Sequence, residues 1–377
     1  MRSAPLLFLL SLQTFGVAQT IIVDANNGPG AQYTDLAVAV SAAPEGALLE
    51  VRPGRYSPLQ IYGKSLTISF AAGAQLMTPS SGAVDISGLG VGQSVFLRGL
   101  QFGPYTGTMV FHDNRGFVDV VAEGDTKGSI FVNICDRVRL QGFACPFGAR
   151  VSASNVVFER CSIRGSAGAA ADPGLTQNGG SVQLVETTVD GGEGFTSVTA
   201  GPAVQMYGGS LRALGGGRLH RGAIAYSNST TPPPPHAIGG YGTVRIDPSV
   251  DLPANQTISL AIALTYLVQP RVQVDAVTTP VTFTASLTGP DGAIAVLAVG
   301  LPGASHGAPV LLDSLWWDGP TAVVQAVGVT SQSAPLAATL NVPNSSGLSG
   351  LRLVWHGLTY EAVGGLQLSP VASALVP

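Results

Sequence analysis

The side chains best placed for chemistry form a face. Short apolar-x-apolar triplets such as Val138-Arg139-Leu140 recur along the first two thirds of the chain. The middle residue of each points away from whatever its two neighbours pack on, because side chains alternate across a strand. Those middle residues, with the residues two positions on, give Phe96, Arg98, Asp119, Arg139, Gln141, Gln183, Gln205 and Tyr207. Arg98 and Arg139 would meet the carboxylates of an acidic polysaccharide, the glutamines would offer hydrogen bonds, and Phe96 and Tyr207 would offer aromatic surfaces. Val121, Val157 and Val185 interrupt the face. The competing reading is a charge ladder, in which Asp119 neutralises Arg139 on the next coil and Arg98 diagonally on the previous one. Each exposed pair would then add at most about 1 kcal/mol, and Phe96 would be an ordinary apolar surface residue.

The elements that must carry this face follow from the triplets themselves. They begin at Leu49, Leu66, Val95, Val118, Val138, Val156, Val182, Val204 and Val244, spaced from 17 residues (Leu49 to Leu66) to 40 (Val204 to Val244). A second apolar site follows at Phe102, Cys145, Ile163, Val189 and Leu211, and a third segment at 82–86, 108–111, 130–132, 151–153 and 223–226. Three short strands in a turn of about 20 residues predict a solenoid, a right-handed parallel β-helix of about nine coils. At roughly 4.8 Å per coil the rod would be on the order of 40 Å long. A β-sandwich with regular strand spacing is the alternative, but insertions like the one between Val204 and Val244 suit a solenoid, whose loops leave one edge.

Composition bounds the functions. Charged residues make up only 11% of the 377 and the net charge is −4, so no basic field exists to attract nucleic acid or an anionic membrane. Residues 1–18 read as a signal peptide: Arg2 is its positive start, 4–12 an apolar stretch too short to span a bilayer, and Gly16-Val17-Ala18 a cleavage site before Gln19. No later stretch reads as a membrane span, so the expectation is a secreted or cell-surface protein. Cys135, Cys145 and Cys161 fall in or beside predicted strands, where a free thiol acts as a small hydrophobe; no His-rich set accompanies them, and no metal is expected.

Near the start, Thr34 or Asp35 can cap a helix over 36–43 that Pro44 ends, covering the strand edges of the first coil. The stretch 22–68, with Pro53-Gly54-Arg55-Tyr56 after an apolar strand, resembles the first-coil segment of pectin-lyase-like right-handed β-helix proteins, many of them bacterial exported proteins of unknown function. The catalytic motifs of that resemblance are missing. The Gln-Asp-Thr-Leu and Asp-Phe-Ile-Phe-Gly of pectin methylesterases are absent, as are the Asn-Thr-Asp, Asp-Asp, Gly-His-Gly and Arg-Ile-Lys of polygalacturonases. Pectate lyases need carboxylates for calcium beside a cationic base. The nearest match is the densest charge cluster, Asp113, Arg115, Asp119, Glu123, Asp125 and Lys127, which lies mainly in turns. Calcium would be a cofactor only if that lyase reading holds; otherwise none is expected.

The proline-rich loop 227–240 reads as an excursion, with His236 solvated at its end, and 242–252 as the last anchor. From 253 to 377 alternating segments at 257–264, 271–274, 281–287, 293–299, 322–327 and 351–356 predict a C-terminal β-sandwich. The end of the chain resembles a C-terminal module of bacterial exported proteins. Trp316, Trp317 and Trp355 could stack on sugar rings, and one of the adjacent pair must face inward. Asn228, Asn255 and Asn344 match the glycosylation acceptor pattern. The reading is an exported, non-catalytic β-helix protein with a structural, adhesive or polysaccharide-binding role, its partners extracellular polysaccharide or cell-surface components. The alternative is a polysaccharide lyase or hydrolase with an unrecognised site.

Overall fold

The structure is a computed structural model. It describes residues 19–77, 84–103, 107–123, 127–168, 171–194, 200–223, 236–254, 256–278, 281–307, 314–317, 321–343, 348, 351–362 and 365–376. The described residues are nearly all β, with one helix among them, Leu36–Ala42.

The anchor triplets form one parallel ladder. Leu66, Val95, Val118, Val138, Val156 and Val182 are successive register partners, and all are buried. The ladder then passes to Leu211, not to Val204. Val204 and Met206 pair instead with Leu175 and Gln177, in a second parallel sheet. Both segments carry the same apolar-x-apolar sequence and lie in one strand, Val204–Leu214, with positive φ at Gly208 and Gly209. At the first coil the register is also two residues from expectation, Leu66 lying opposite Ala47.

The second sheet, here the open sheet, stacks Leu59–Tyr62, Val84–Ser87 and the beginnings of Gly107–Ala122 and Gly128–Gln141, then Ala149–Ser152, Leu175–Asn178 and the beginnings of Val204–Leu214 and His236–Ile246. A third parallel sheet holds Ala144–Cys145, Ser162–Arg164, Thr188–Asp190 and Arg218–His220, with Cys145, Ile163, Val189 and Leu219 inward. The long strands turn the corner between the open and anchor sheets without a break. They thereby close a ring of six parallel strands, 128–141, 149–152, 175–178, 204–214, 181–185 and 155–159. Each turn at this corner needs a residue with positive φ. Gly63, Gly88, Asp113, Ile134, Ala153, Gly179 and Gly208 supply it in succession.

The helix forms where its signals place it: the Asp35 carboxylate accepts the Ala37 amide at 2.8 Å, and Leu36, Ala39 and Val40 enter the core. Lys64 donates to the carbonyls of Val40, Ser41 and Ala43, satisfying the exposed C-terminal end. The Tyr56 hydroxyl donates to Arg52 O at 2.7 Å and accepts the Ala25 amide at 3.2 Å, tying the first coil to the opening strand.

Two stretches differ from expectation beyond Gly222. His236 begins a strand, His236–Ile246, so 236–240 is not loop; residues 224–235, with Pro232 to Pro235, lie outside the described residues. Parallel stacking also continues past Leu252, because Thr257–Ile258 and Ile262–Tyr266 pair with His236–Ile246. The alternation that suggested a new unit there suits a last coil equally well. Antiparallel structure starts at Arg271–Thr278. One antiparallel sheet contains Arg271–Thr278, Val281–Thr288 and Leu336–Asn341, and another contains Val323–Val329, Ile294–Gly300, Arg352–Glu361, Gly365–Leu368 and Ala372–Leu375. Their inner faces share a core including Phe283, Leu287, Leu297 and Trp355.

Candidate functional site

The face read from the triplets is largely covered. The antiparallel unit packs on the outside of the anchor sheet, where Phe96, Phe117, Val157, Val185 and Leu214 meet Val354 and Val371. Of the valines that interrupt the polar face, Val157 and Val185 are therefore contact residues, and Val121 is half-buried outside that patch. Of the candidates, Phe96, Asp119, Arg139 and Gln183 are buried; Gln141 is half-buried and Arg98 exposed. Gln205 and Tyr207 belong to the open sheet, since they follow Val204 into that ladder.

At the centre of the contact stands Asp119, which has no exposed surface. Consecutive register partners bring Asp119 and Arg139 together, and Arg139 Nη1 donates to Asp119 Oδ1 at 3.2 Å. From the antiparallel unit, Ser373 Oγ donates to Asp119 Oδ2 at 2.6 Å and Arg352 Nη1 lies 3.0 Å from the same oxygen. Arg139 Nη2 also donates to Glu159 Oε2 at 2.7 Å and to Gln141 Oε1 at 3.0 Å. The Arg352 guanidinium lies 4.4 Å from the centroid of the Phe96 ring. Desolvation pushes the Asp119 pKa up, but Arg352 and then Arg139 outweigh it and hold the carboxyl below its usual value. The expected ladder thus exists between Asp119 and Arg139, with Arg352 where Arg98 was expected. Because it is buried, its disruption costs more than an exposed pair.

The outside of the second sheet is open to solvent, as is that of the third, where Ser162, Arg164 and Arg218 are exposed. One outward column of the second sheet runs Tyr62, Ser87, His112, Asn133 and Ser152 to Asn178, and Tyr207 and Tyr241 pair at its far end. A parallel column contains Gln60, Asp85, Val110, Phe131, Arg150, Thr176 and Gln205. Tyr62, Phe131, Tyr207 and Tyr241 are exposed, and Arg150 lies 6.0 Å from the Phe131 centroid. His112 Nδ1 is 3.0 Å from Asp113 Oδ2, and its Nε2 is 3.4 Å from Asp85 Oδ1. Extending the third apolar segment by one residue, from Phe111 to His112 and from Val132 to Asn133, would have drawn this column from the sequence.

The charge cluster is not one site. Asp113 sits at the corner of the open sheet, Arg115 is exposed past it, and Asp119 lies under the antiparallel unit. Glu123 and Lys127 are exposed beyond the other end of the anchor strand, and Asp125 is outside the described residues. The strand carrying Asp119 turns through the corner, which divides these residues between two faces. Among the described residues no group of three His, Cys, Asp or Glu side chains could hold a metal ion.

Cys135, Cys145 and Cys161 are free and buried, and burial pushes Cys135 up to about 11 and Cys161 up to about 12. Trp355 is core, 5.5 Å from Phe283 between centroids, not a sugar platform. Trp316 and Trp317 lie in Ser314–Trp317, their side chains outside the described set, as are Asn228, Asn255 and Asn344. No helix among the described residues is long and apolar enough to cross a membrane. A scan against protein-family models finds no match, and a search of curated proteins finds none similar.

Proposed function

We propose that the chain is an exported right-handed parallel β-helix of the pectin-lyase-like kind, followed by a β-sandwich module, and that it holds polysaccharide along its open sheet without cleaving it, in a structural or adhesive role at the cell surface. The observation that carries this is the uncovered face on which exposed Tyr62, Phe131, Tyr207 and Tyr241 stand among Gln60, Asn133, Thr176, Asn178 and Gln205. Aromatic faces receive sugar rings, and flanking amide and hydroxyl groups bond their hydroxyls. Coils rise by about 4.8 Å each, so the face has the extent of a chain. The right hand follows the preference of parallel crossovers, and the bonded Tyr56 supports the resemblance at Pro53-Gly54-Arg55-Tyr56.

The test is retention on a panel of immobilised acidic and neutral polysaccharides, with released products assayed in the same wells. Replacing Tyr207 and Tyr241 together by Ala should abolish retention, whereas Arg98→Gln, beside the covered anchor face, should leave it intact. Retention unchanged by the double substitution would remove the open sheet as the binding face. A second reading, a lyase or hydrolase, is favoured by His112 held between Asp85 and Asp113, the pairing that acid–base chemistry uses. Unsaturated or reducing-end products that disappear in His112→Ala would establish it.

A further inference from the structure

The two ends of the parallel stack are finished differently. At the first, the inward residues Ile21 and Val23 are 3% and 0% exposed and share a core with Leu36, Ala39 and Val40 of the helix. At the last, Leu264 and Tyr266 hold the corresponding inward positions, opposite Val244 and Ile246. Yet they are 36% and 56% exposed, and Leu260 is 103% exposed. One layer of the core therefore meets solvent. Among the described residues Ile262–Tyr266 pairs only with His236–Ile246, so its other edge presents backbone donors and acceptors without strand partners. Solenoids ordinarily close such an end with a polar cap, and an uncovered edge is a template for another strand.

The antiparallel unit does not supply the cap. After Tyr266 the chain turns back along the anchor sheet. Gln269 meets Arg212, as does the Leu368 carbonyl, while Ser373 reaches Asp119 and Arg352 reaches Phe96, each on an earlier coil.

We propose that this end binds a second copy of the chain, end to end about a two-fold axis, with the two Ile262–Tyr266 strands paired antiparallel. A two-fold axis brings identical strands together in that sense, and the contact closes on itself. Helix residues Leu36, Ala39 and Val40 pack on the core at the first end, so the apolar layer left open is the one at the last end. Charge also favours a self-contact. Residues 257–266, Thr-Ile-Ser-Leu-Ala-Ile-Ala-Leu-Thr-Tyr, include no ionisable side chain except the tyrosine phenol. Along that stretch two copies oppose no like charges, and Leu260, Leu264 and Tyr266 of each merge two open core layers into one.

Sedimentation velocity of the full chain over a range of concentrations tests this. A particle of twice the chain mass is expected. Leu260→Glu, at a position that the isolated copy leaves fully exposed, should raise the dissociation constant by about tenfold or more, as should Leu264→Lys, with circular dichroism unchanged. Val327→Lys, on the exposed edge strand Val323–Val329 of the antiparallel unit, should leave the dimer intact. A single-chain mass throughout, a dimer insensitive to Leu260→Glu, or a dimer dissociated by Val327→Lys would overturn the proposal.

Discussion

Asp119 shows how one buried carboxylate sets a pH limit. Its proton is bound less readily in the folded chain, where Arg352 and Arg139 outweigh desolvation, than in the unfolded chain, where an Asp titrates near about 3.9. A depressed folded pKa contributes stability that is fully present above the unfolded value and is lost as pH falls through the folded one. Urea midpoints should therefore fall on acidification below about pH 4. Asp119→Asn should cost roughly 3–5 kcal/mol near neutral pH, since it leaves buried guanidinium groups without their carboxylate. The variant should also show a smaller loss over the acid range; an equal loss would assign the acid sensitivity to other carboxylates. The thiols report burial independently. With Cys135 near 11 and Cys161 near 12, and Cys145 also raised by burial, thiolate is scarce at about pH 8. A colorimetric thiol reagent should detect none of the three in the native chain and all of them in denaturant.

At the scale of elements, the corner between the open and anchor sheets carries a strain that sequence pattern hides. Ile134 holds φ 53° there, where a β-branched residue is a genuine outlier, and its side chain is exposed, so little burial compensates. Ile134→Asn should raise stability by roughly 1 kcal/mol, read as a higher thermal midpoint; a lower midpoint would mean that the side chain contributes a contact outweighing the strain. Strand parity was legible, because Val-x-Leu alternation reports which side chains face inward wherever it occurs. So was the helix, whose Asp35 cap and following Pro44 are local signals. Two things were not legible. Val204-x-Met206 and Leu211-x-Ala213 carry the same alternation, and only the positive φ at Gly208 and Gly209 between them decides which belongs to the anchor ladder. Nor could a local pattern reveal what covers the anchor face: Ser373 lies 234 residues from Arg139. Without that cover, Arg139 and Gln183 read as a ligand surface, while of the open face only Gln205 and Tyr207 stand out in the triplets, because His112 and Asn133 lie one residue past the apolar segments 108–111 and 130–132.

For the whole molecule, the question is whether the parallel stack and the antiparallel unit behave as one cooperative body. The contact spans successive coils of the anchor sheet, from Phe96 through Asp119, Val157 and Val185 to Leu214. It combines a dry apolar patch with a closed charge cluster. Gln269, in the connection between the units, is itself buried and bonded to Arg212 and to Ala213 O. Unfolding either unit alone would expose Val354, Val371 and the valines beneath them, and would leave Arg139 and Asp119 without Arg352 and Ser373. Each loss is large against the 5–15 kcal/mol that ordinarily separates folded from unfolded, so calorimetry near neutral pH should give a single transition. Val354→Asp places a carboxylate in the apolar contact, where Val354 has no exposed surface, and burial without a partner is costly. That variant should split the transition in two, with the parallel stack melting separately. Two transitions already present in the parent chain would show that the contact does not couple the units, and a single transition retained by Val354→Asp would place the coupling in the charge cluster instead.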